Sequence, residues 1–274
     1  MSYKTILVHA EPGHAADRRV AAAIALADTF DAALIGLGAE AFEPVFASGY
    51  AIADGAVYEA IRERIQKDIP AAEQHFRALT SGMKQPVFWV SGVQDPCSEL
   101  VVHARGADLI VASRPAAGEG HAFAAGCADL VMRAGLPVLI TPDAGQPFEG
   151  HHVLVGWKNT REARAALTGA MPLLMRADKV VLVAITSEAE VGAQHAELEQ
   201  VAQRLTRHGV RVKSEVIAKA RSGTAEDLER AADRHGADTI VIGAYAHSRV
   251  REWALGGMTE DFIASSSKYI LMCH

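Results

Sequence analysis

The decisive part of the sequence reads Thr239-Ile-Val-Ile-Gly243-Ala-Tyr-Ala-His-Ser-Arg-Val-Arg-Glu-Trp-Ala-Leu-Gly256-Gly257-Met258-Thr259. Its first five residues have the apolar and β-branched composition of a parallel strand that is buried on both faces. Its last four residues, two glycines followed by Met and Thr, are suited to open a helix. Free N–H groups and the helix dipole favour negative charge at such a junction. The stretch therefore predicts a phosphate-binding loop between a buried strand and a helix.

Similar alternation runs through the whole chain, where short β-branched runs are separated by amphipathic helical stretches. This pattern predicts an α/β fold with a parallel sheet that helices cover on both faces. The predicted strands are 5–9, 33–37, 86–90, 108–112 and 137–141 in the first half, and 153–156, 179–185, 212–217, 238–242 and 269–272 in the second. The predicted helices are 15–30, 57–79, 97–105 and 126–133, then one from Thr160 as N-cap, 189–208, 224–234 and 258–264. The two halves thus pass through the same order of elements.

An internal match supports a duplication. Arg105-Gly-Ala-Asp-Leu-Ile-Val-Ala112 resembles His235-Gly-Ala-Asp-Thr-Ile-Val-Ile242, about 130 residues further on. A repeat of that length indicates two whole domains, which we place at 1–143 and 150–274 with a Pro/Gly-rich linker between them. The first half also carries an insertion at 40–54, for which an ordered flap, a partner contact and a surface loop all remain open.

Composition narrows the class of protein. The chain has 274 residues, of which 50% are hydrophobic and 22% charged, and its formal net charge is −6. This charge predicts neither a nucleic-acid partner nor an anionic membrane partner, and no apolar run approaches the ~20 residues of a membrane span. The N-terminus begins directly with a predicted strand and shows no signal peptide. Three widely spaced cysteines without a CxxC pair argue against disulfides and zinc. We therefore expect a cytoplasmic protein.

The motif and the duplication together resemble the universal stress protein family in its tandem two-domain form, over almost the whole chain. The resemblance implies two Rossmann-like (adenine nucleotide alpha hydrolase-like) domains, each a five-stranded parallel sheet of order 3-2-1-4-5 with helices on both faces. The family's nucleotide motif is Gly, two residues, Gly, nine residues, Gly, then Ser or Thr. Gly243 and Gly256 fill its first and third positions, Ala246 stands at the second, and Gly257 replaces the Ser or Thr, with Thr259 two residues on.

The first strand of the second half is followed by Trp157-Lys158-Asn159-Thr160. The resemblance aligns this run with the Val-Asp-Gly-Ser of nucleotide-binding members, so Lys158 stands at the position of their Asp. A lysine ammonium only donates hydrogen bonds, so it cannot replace the carboxylate that holds adenosine, but it can meet a phosphate. Ile185 matches the position that lines the adenine, and Arg249 supplies a charge in the loop. The candidate cofactor-binding residues are Trp157, Lys158, Ile185, Gly243, Arg249, Gly256, Gly257, Met258 and Thr259. ATP would bring Mg²⁺, held through phosphate oxygens and water.

The first half carries a degenerate copy of the motif. Ser113 and Ala116 take the first two glycine positions, Gly126 keeps the third, and Cys127 takes the Ser or Thr position. Glu11 stands near the position of the family's Asp. This copy predicts a structural or partner domain, although a different ligand remains an alternative. At a helix N-terminus the Cys127 thiol fits either a redox sensor or a small buried residue.

Five of the candidate residues also have a purely structural explanation. Gly243, Gly256 and Gly257 fit close approach to phosphates at the carboxyl edge of the sheet, and they equally fit tight turns and helix packing. Arg249 fits a phosphate contact or a solvated loop. Thr259 fits a phosphate contact, a helix cap or both.

Two other groups of residues could be considered as a catalytic site or as metal ligands. His247 and Ser248 lack a Gly-x-Ser-x-Gly elbow, and neighbours in a loop rarely face each other, so a hydrolase is disfavoured. The pairs His151-His152 and Cys273-His274 are disfavoured as metal ligands because neighbours on a strand face opposite ways.

The fifth strands carry a separate prediction. Residues 138–140 and 270–272 are apolar edge strands, and their pairing would cover both exposed edges. The family resemblance implies such a pseudo-dimer within one chain, and a homodimer through strand five or the 40–54 insertion stays open. The leading hypothesis is a cytoplasmic protein that binds an adenine nucleotide in its second half. A scaffold that binds no nucleotide is the alternative. A slow ATPase or phosphotransferase is disfavoured, because no convergent carboxylate pair or general base is found near the loop.

Overall fold

The computed structural model describes residues 2–12, 16–40, 46–47, 50–51, 55–113, 122–219, 224–244, 262–263 and 265–274. The strands are β1 Thr5–His9, β2 Ala33–Ala39, β3 Phe46–Ala47, β4 Tyr50–Ala51, β5 Val87–Gly92, β6 Leu109–Ser113, β7 Val138–Thr141, β8 His152–Gly156, β9 Lys179–Thr186, β10 Val212–Ala218, β11 Thr239–Gly243 and β12 Tyr269–Cys273. The helices are α1 Asp17–Phe30, α2 Gly55–Leu79, α3 Pro96–His103, α4 Ala122–Ala134, α5 Arg161–Gly169, α6 Met171–Leu174, α7 Val191–Arg207 and α8 Thr224–His235. Within these ranges no helix is long and apolar enough to cross a membrane.

The chain divides into two compact units, Tyr3–Val111 and a second formed mainly by Ala112–His274. The second unit includes α4 and β7, which the sequence repeat assigns to the first half. The domain ranges 1–143 and 150–274 therefore stay predictions about the duplication. Within the predicted insertion, β3 and β4 form a short antiparallel pair.

The unit Tyr3–Val111 contains parallel strands in the order β5-β2-β1-β6. Ile6 pairs with Leu34 on one side and with Leu109 on the other. All three side chains are at most 1% exposed, as expected for strands that helices cover on both faces. The order corresponds to strands 3-2-1-4 of the predicted repeat.

The second unit contains the complete predicted order. Its parallel strands run β10-β9-β8-β11-β12, which are strands 3-2-1-4-5 of the second half. On the far side of β12 lies β7 in antiparallel orientation, with Leu271 opposite Leu139. The predicted α/β fold class is confirmed, and so is the predicted pairing of the two fifth strands, which removes an exposed apolar edge from each.

The repeated Gly-Ala-Asp motif has the same structural role in both halves. The Oδ2 atom of Asp108 accepts the backbone N–H groups of Lys4 and Thr5, at 2.7 and 3.0 Å. The Oδ2 atom of Asp238 accepts those of His151 and His152, both at 3.0 Å. In each half a carboxylate at the start of strand four thus binds the start of strand one, and the bond to a charged acceptor strengthens this junction.

Candidate functional site

The sequence-predicted site in the second unit corresponds to the carboxyl end of β8 and β11. β8 and β11 are neighbours in the sheet. The chain continues from β8 to β9 on one side of this pair, and from β11 to β12 on the other side. Open α/β sheets bind ligands in the crevice that such a reversal of strand order leaves outside the strand ends. Trp157 and Lys158 follow β8, Ile185 lies near the end of β9, and Gly243 ends β11. The structure therefore places these four candidate residues along one sheet edge.

The other candidate residues belong to the segment that follows β11 in the sequence. Arg249, Gly256, Gly257, Met258 and Thr259 lie outside the described residues. The predicted helix 258–264 falls mostly within the same segment. Their proposed contacts with phosphate remain predictions from the sequence.

Trp157 is a structural anchor at this edge. Its backbone N–H donates to the Val183 carbonyl at 2.7 Å, and its side chain is buried. The indole Nε1–H donates to Oε1 of Glu197 on α7 at 2.7 Å. Buried Trp N–H groups need such a partner. The interaction with Glu197 was not predicted, because 40 residues separate it from Trp157.

Lys158 is exposed at the start of a tight turn. Its carbonyl accepts the Thr160 N–H at 2.7 Å, and the Thr160 hydroxyl oxygen accepts the Ala163 N–H at 3.2 Å. Thr160 is thus the N-cap of α5, as predicted. The turn places a lysine next to the amino end of a helix, where both the ammonium and the helix dipole attract anions.

Gly243 lies against the first turn of α5. A Cβ atom at this position would lie 2.4 Å from the Ala163 nitrogen and 2.5 Å from the Glu162 carbonyl carbon. These neighbours are backbone atoms, so they cannot move aside as a flexible side chain would. Tight packing between strand and helix is therefore sufficient to require glycine here, which supports the structural explanation for this residue.

Charged side chains connect the first turn of α5 to the end of β12. Arg161 Nε donates to the buried Glu162 carboxylate at 2.5 Å, and Arg161 Nη2 donates to Nε2 of His274 at 3.1 Å. His274 Nδ1–H in turn donates to the Ala244 carbonyl at 3.1 Å. Burial alone would raise the pKa of Glu162, but hydrogen bonds from Arg161, its own backbone and Thr160 lower it overall. The carboxylate is therefore ionised and already bound.

A separate surface cavity of about 440 Å³ lies between α5, the segment at Leu136 and Pro137, and the end of β12. Arg164 and Thr168 contribute its polar lining. None of the four described candidate residues lines this cavity.

In the first half, Glu11 follows β1, the position that corresponds to Lys158. Its Oε2 atom accepts Arg19 Nη2 at 2.6 Å and lies 3.1 Å from His9 Nδ1. Arg19 also donates from Nε to the His9 carbonyl at 2.6 Å. Burial opposes the charge on Glu11, but His9 and Arg19 lower its pKa to about 2, while burial lowers the pKa of His9. The Glu11 carboxylate therefore binds other side chains of the protein, which supports a structural role for the first half.

Cys127 does not lie at the start of its helix. The sequence predicts that this helix begins at Gly126, but α4 begins at Ala122. Cys127 therefore does not lie in the first turn of α4, where the helix would lower the pKa of a thiol, and the prediction of that position is wrong. Its thiol is 5% exposed and donates to the Ser113 carbonyl at 3.1 Å. The structure thus favours the interpretation as a small buried residue.

The adjacent histidines His151 and His152 bind different partners. His151 Nδ1 contacts Asp178 Oδ2 at 2.7 Å, whereas His152 Nδ1 contacts the Gly236 carbonyl at 3.1 Å. Among the described residues, no group of three or more His, Cys, Asp or Glu side chains is arranged to hold a metal ion. The two imidazoles thus contact different groups, as expected for neighbours that face opposite ways.

The His151–Asp178 contact leads to a testable prediction. The hydrogen bond that the His151 ring donates to the Asp178 carboxylate raises the pKa of His151 above 6.5. Asp178→Asn is expected to lower that pKa towards 6.5, because the amide carries no charge, and NMR titration of the imidazole resonances measures it. Asp233→Asn, another exposed carboxylate, which pairs with Lys268, is the control. An unchanged titration curve in Asp178→Asn contradicts the assignment.

No family model matches the chain, and no curated protein matches it in sequence. Solved structures do match over its full length. A universal stress protein from Archaeoglobus fulgidus DSM 4304 has a TM-score of 0.72 and 16% identity, and the match covers 98% of this chain and 95% of that one. A protein from Pseudomonas aeruginosa UCBPP-PA14, provisionally named a universal stress protein, has a TM-score of 0.62 and 19% identity over 99% and 93% of the two chains. A functionally unknown protein from Pseudomonas aeruginosa PAO1 has a TM-score of 0.60 and 17% identity, over 99% and 92%. The fold of this chain is that of tandem universal stress protein structures.

Proposed function

We infer that the chain is a tandem universal stress protein whose second half binds an adenine nucleotide, ATP first among them, without fast catalysis. The observation that carries this proposal is the reversal of strand order between β8 and β11, beside the exposed Lys158. Such a crevice is the general ligand position of open α/β sheets. The fold shared with universal stress protein structures supports the family assignment.

The residues of this edge suggest how the nucleotide is held. Ile185 contributes apolar surface for the adenine, while Lys158 contributes a positive charge for the phosphates. The loop after β11, with Gly256 and Gly257, contributes backbone N–H groups, and Mg²⁺ is held by phosphate oxygens and water. The nearby carboxylates Glu162 and Glu197 are already bound by Arg161 and Trp157. Both carboxylates thus hold other side chains of the protein in place, a structural role that fits binding without fast catalysis.

Isothermal titration calorimetry of the whole chain with ATP, ADP and AMP tests the proposal. We expect saturable binding of ATP, abolished by Gly256→Asp, because a carboxylate would repel the phosphates at the glycine pair. Lys158→Ala is expected to weaken ATP binding about five-fold, or about 1 kcal/mol, the contribution of one exposed charge pair. Lys213→Ala removes another exposed lysine and should leave binding unchanged. Equal effects of the two lysine variants would contradict the proposed position.

The second candidate function is a scaffold of the same fold that binds no nucleotide. Two observations favour it: α5 fills the space at Gly243, and a lysine replaces the carboxylate that holds adenosine in the family. No heat of binding with any of the three nucleotides would support this alternative.

We further propose that the protein acts in the cytoplasm and that its two halves form a pseudo-dimer within one chain. The pairing of β7 with β12 supports the second proposal.

A further inference from the structure

The third strands of the two halves, β5 and β10, are both edge strands. Among the described strands, β5 pairs only with β2, and β10 pairs only with β9. An edge strand presents unpaired N–H and C=O groups along one side, and proteins often protect it with charged residues. The two edges of this chain differ in that protection.

The sheet register makes the two edges directly comparable. Val87 pairs with Leu34 and Val212 pairs with Val180, and these two partners occupy equivalent places beside the first strand of each half. It follows that Phe88 corresponds to Lys213, and Val90 to Glu215. The second half therefore has a lysine on its edge strand where the first half has a phenylalanine.

Phe88 is 54% exposed, an unusual environment for a large aromatic side chain on a sheet. Residues 88, 90 and 92 lie on one face because side chains alternate along a strand. A Cβ on Gly92 would contact the Glu99 side chain, so this is the face that α3 covers. The opposite face is packed, since the Trp89 ring lies 5.5 Å from that of Phe76 on α2. The exposed large apolar side chain within β5, Phe88, thus lies on the α3 face, and Val93 directly after the strand is also exposed.

The backbone of β5 has its free groups on alternate residues. The Leu34 N–H donates to the Pro86 carbonyl, so in a parallel ladder the groups of Phe88 and Val90 also face β2. Those of Val87, Trp89 and Ser91 therefore point away from the sheet. These three residues form a short, regular row of donors and acceptors.

We propose that β5 binds β5 of a second copy of this chain, in antiparallel orientation about a two-fold axis at Trp89. In this register Trp89 lies opposite the partner's Trp89 and Val87 opposite the partner's Ser91, so the outward-pointing groups meet each other. Phe88 then lies opposite the partner's Val90, twice per dimer. Aromatic and β-branched residues form favourable pairs across antiparallel strands, and such a self-complementary contact is typical of two-fold dimers.

The charges that flank β5 agree with this register. Lys84 precedes the strand and Asp95 follows it, and both are exposed. Antiparallel pairing brings the beginning of one strand to the end of the other, so each Lys84 faces the end that carries the partner's Asp95. β5 itself has no charged residue, so two copies meet there without repulsion between like charges.

Sedimentation velocity of the full chain over about 1 to 200 µM tests the proposal, a range that spans the micromolar affinities of small interfaces. We expect a concentration-dependent shift from 29.1 kDa to twice that mass. Phe88→Lys, which introduces the residue of the equivalent β10 position, is expected to weaken association about tenfold or more, because the change acts twice in a two-fold contact. Met175→Lys is the matched control, since Met175 is 45% exposed in the other unit, and should leave association unchanged.

Hydrogen exchange gives an independent readout. In the dimer, the amides of Val87, Trp89 and Ser91 should become protected as concentration rises, while Phe88→Lys retains its native circular dichroism and loses that protection. A monomer at all concentrations overturns the proposal. A dimer that is unaffected by Phe88→Lys also overturns it, because association then uses another surface. Neither result depends on nucleotide binding.

Discussion

Replacement of Glu11 by Gln is expected to lower the free energy of unfolding at neutral pH by about 3–5 kcal/mol. The reason is the guanidinium that remains. Arg19 has a side chain only 4% exposed, and Glu11 is its ion-pair partner at 2.6 Å. Without that carboxylate, a buried guanidinium loses an ion-pair partner, which costs much more than the loss of a surface ion pair.

The pH dependence of stability provides a second measure of the same interaction. The folded protein lowers the pKa of Glu11 from 4.5 to about 2, so it binds fewer protons than the unfolded chain between these values. The stabilisation is therefore fully present above pH 4.5 and is lost as the pH falls towards 2. The difference between the two pKa values corresponds to about 3 kcal/mol. Urea denaturation at several pH values should show this loss in the wild type and a flatter profile in Glu11→Gln.

Glu73→Gln is the matched control. Glu73 binds Arg77 at 2.6 Å, but both side chains are substantially exposed, so the loss should stay below about 1 kcal/mol. Adding Arg19→Met to Glu11→Gln should cost little more, or even restore stability, because it removes the buried charge that has lost Glu11. If Glu11→Gln and Glu73→Gln had equal effects, Arg19 would not be the buried partner that the geometry describes.

The sequence was sufficient to predict most of the described strands and helices in their order along the chain, because periodicity and β-branched runs are local properties, but it did not predict α6, β3 or β4. It also predicted Thr160 as a cap and the pairing of the two fifth strands. It did not predict the bonds between Trp157 and Glu197 or between Arg161 and His274. These pairs are 40 and 113 residues apart, and only the folded chain brings them together.

The sequence also could not decide the role of residues that fit both a ligand contact and a structural contact. Glu11 occupies a position that suggests a ligand contact, yet Arg19 and His9 bind it. Phe88 lies in an unremarkable apolar run, and its exposure follows only from the place of β5 at the edge of the sheet. The motif therefore indicated where the candidate site residues lie along the chain. Only the contacts in the folded protein show which of them already bind other residues of the protein.

Replacement of Gly243 by Ala is expected to destabilise the protein by about 2–3 kcal/mol, near the upper end for an overpacked position. Gly243 does not have a left-handed backbone conformation, so strain in φ is not the cause. The new methyl group would lie 2.4 Å from the Ala163 nitrogen, and either β11 or the first turn of α5 would have to shift. Thermal and urea denaturation measure the effect.

Gly192→Ala is the control for this substitution. Gly192 is an exposed residue near the start of α7, with no atom within 4 Å of an added Cβ, and alanine there should stabilise the helix by about 0.5–1 kcal/mol. The contrast separates the two explanations for Gly243. A Gly243→Ala protein that is as stable as the wild type but no longer binds ATP would show that glycine is needed for the ligand. A destabilised protein that still binds ATP would show that glycine is needed for the approach of β11 to α5.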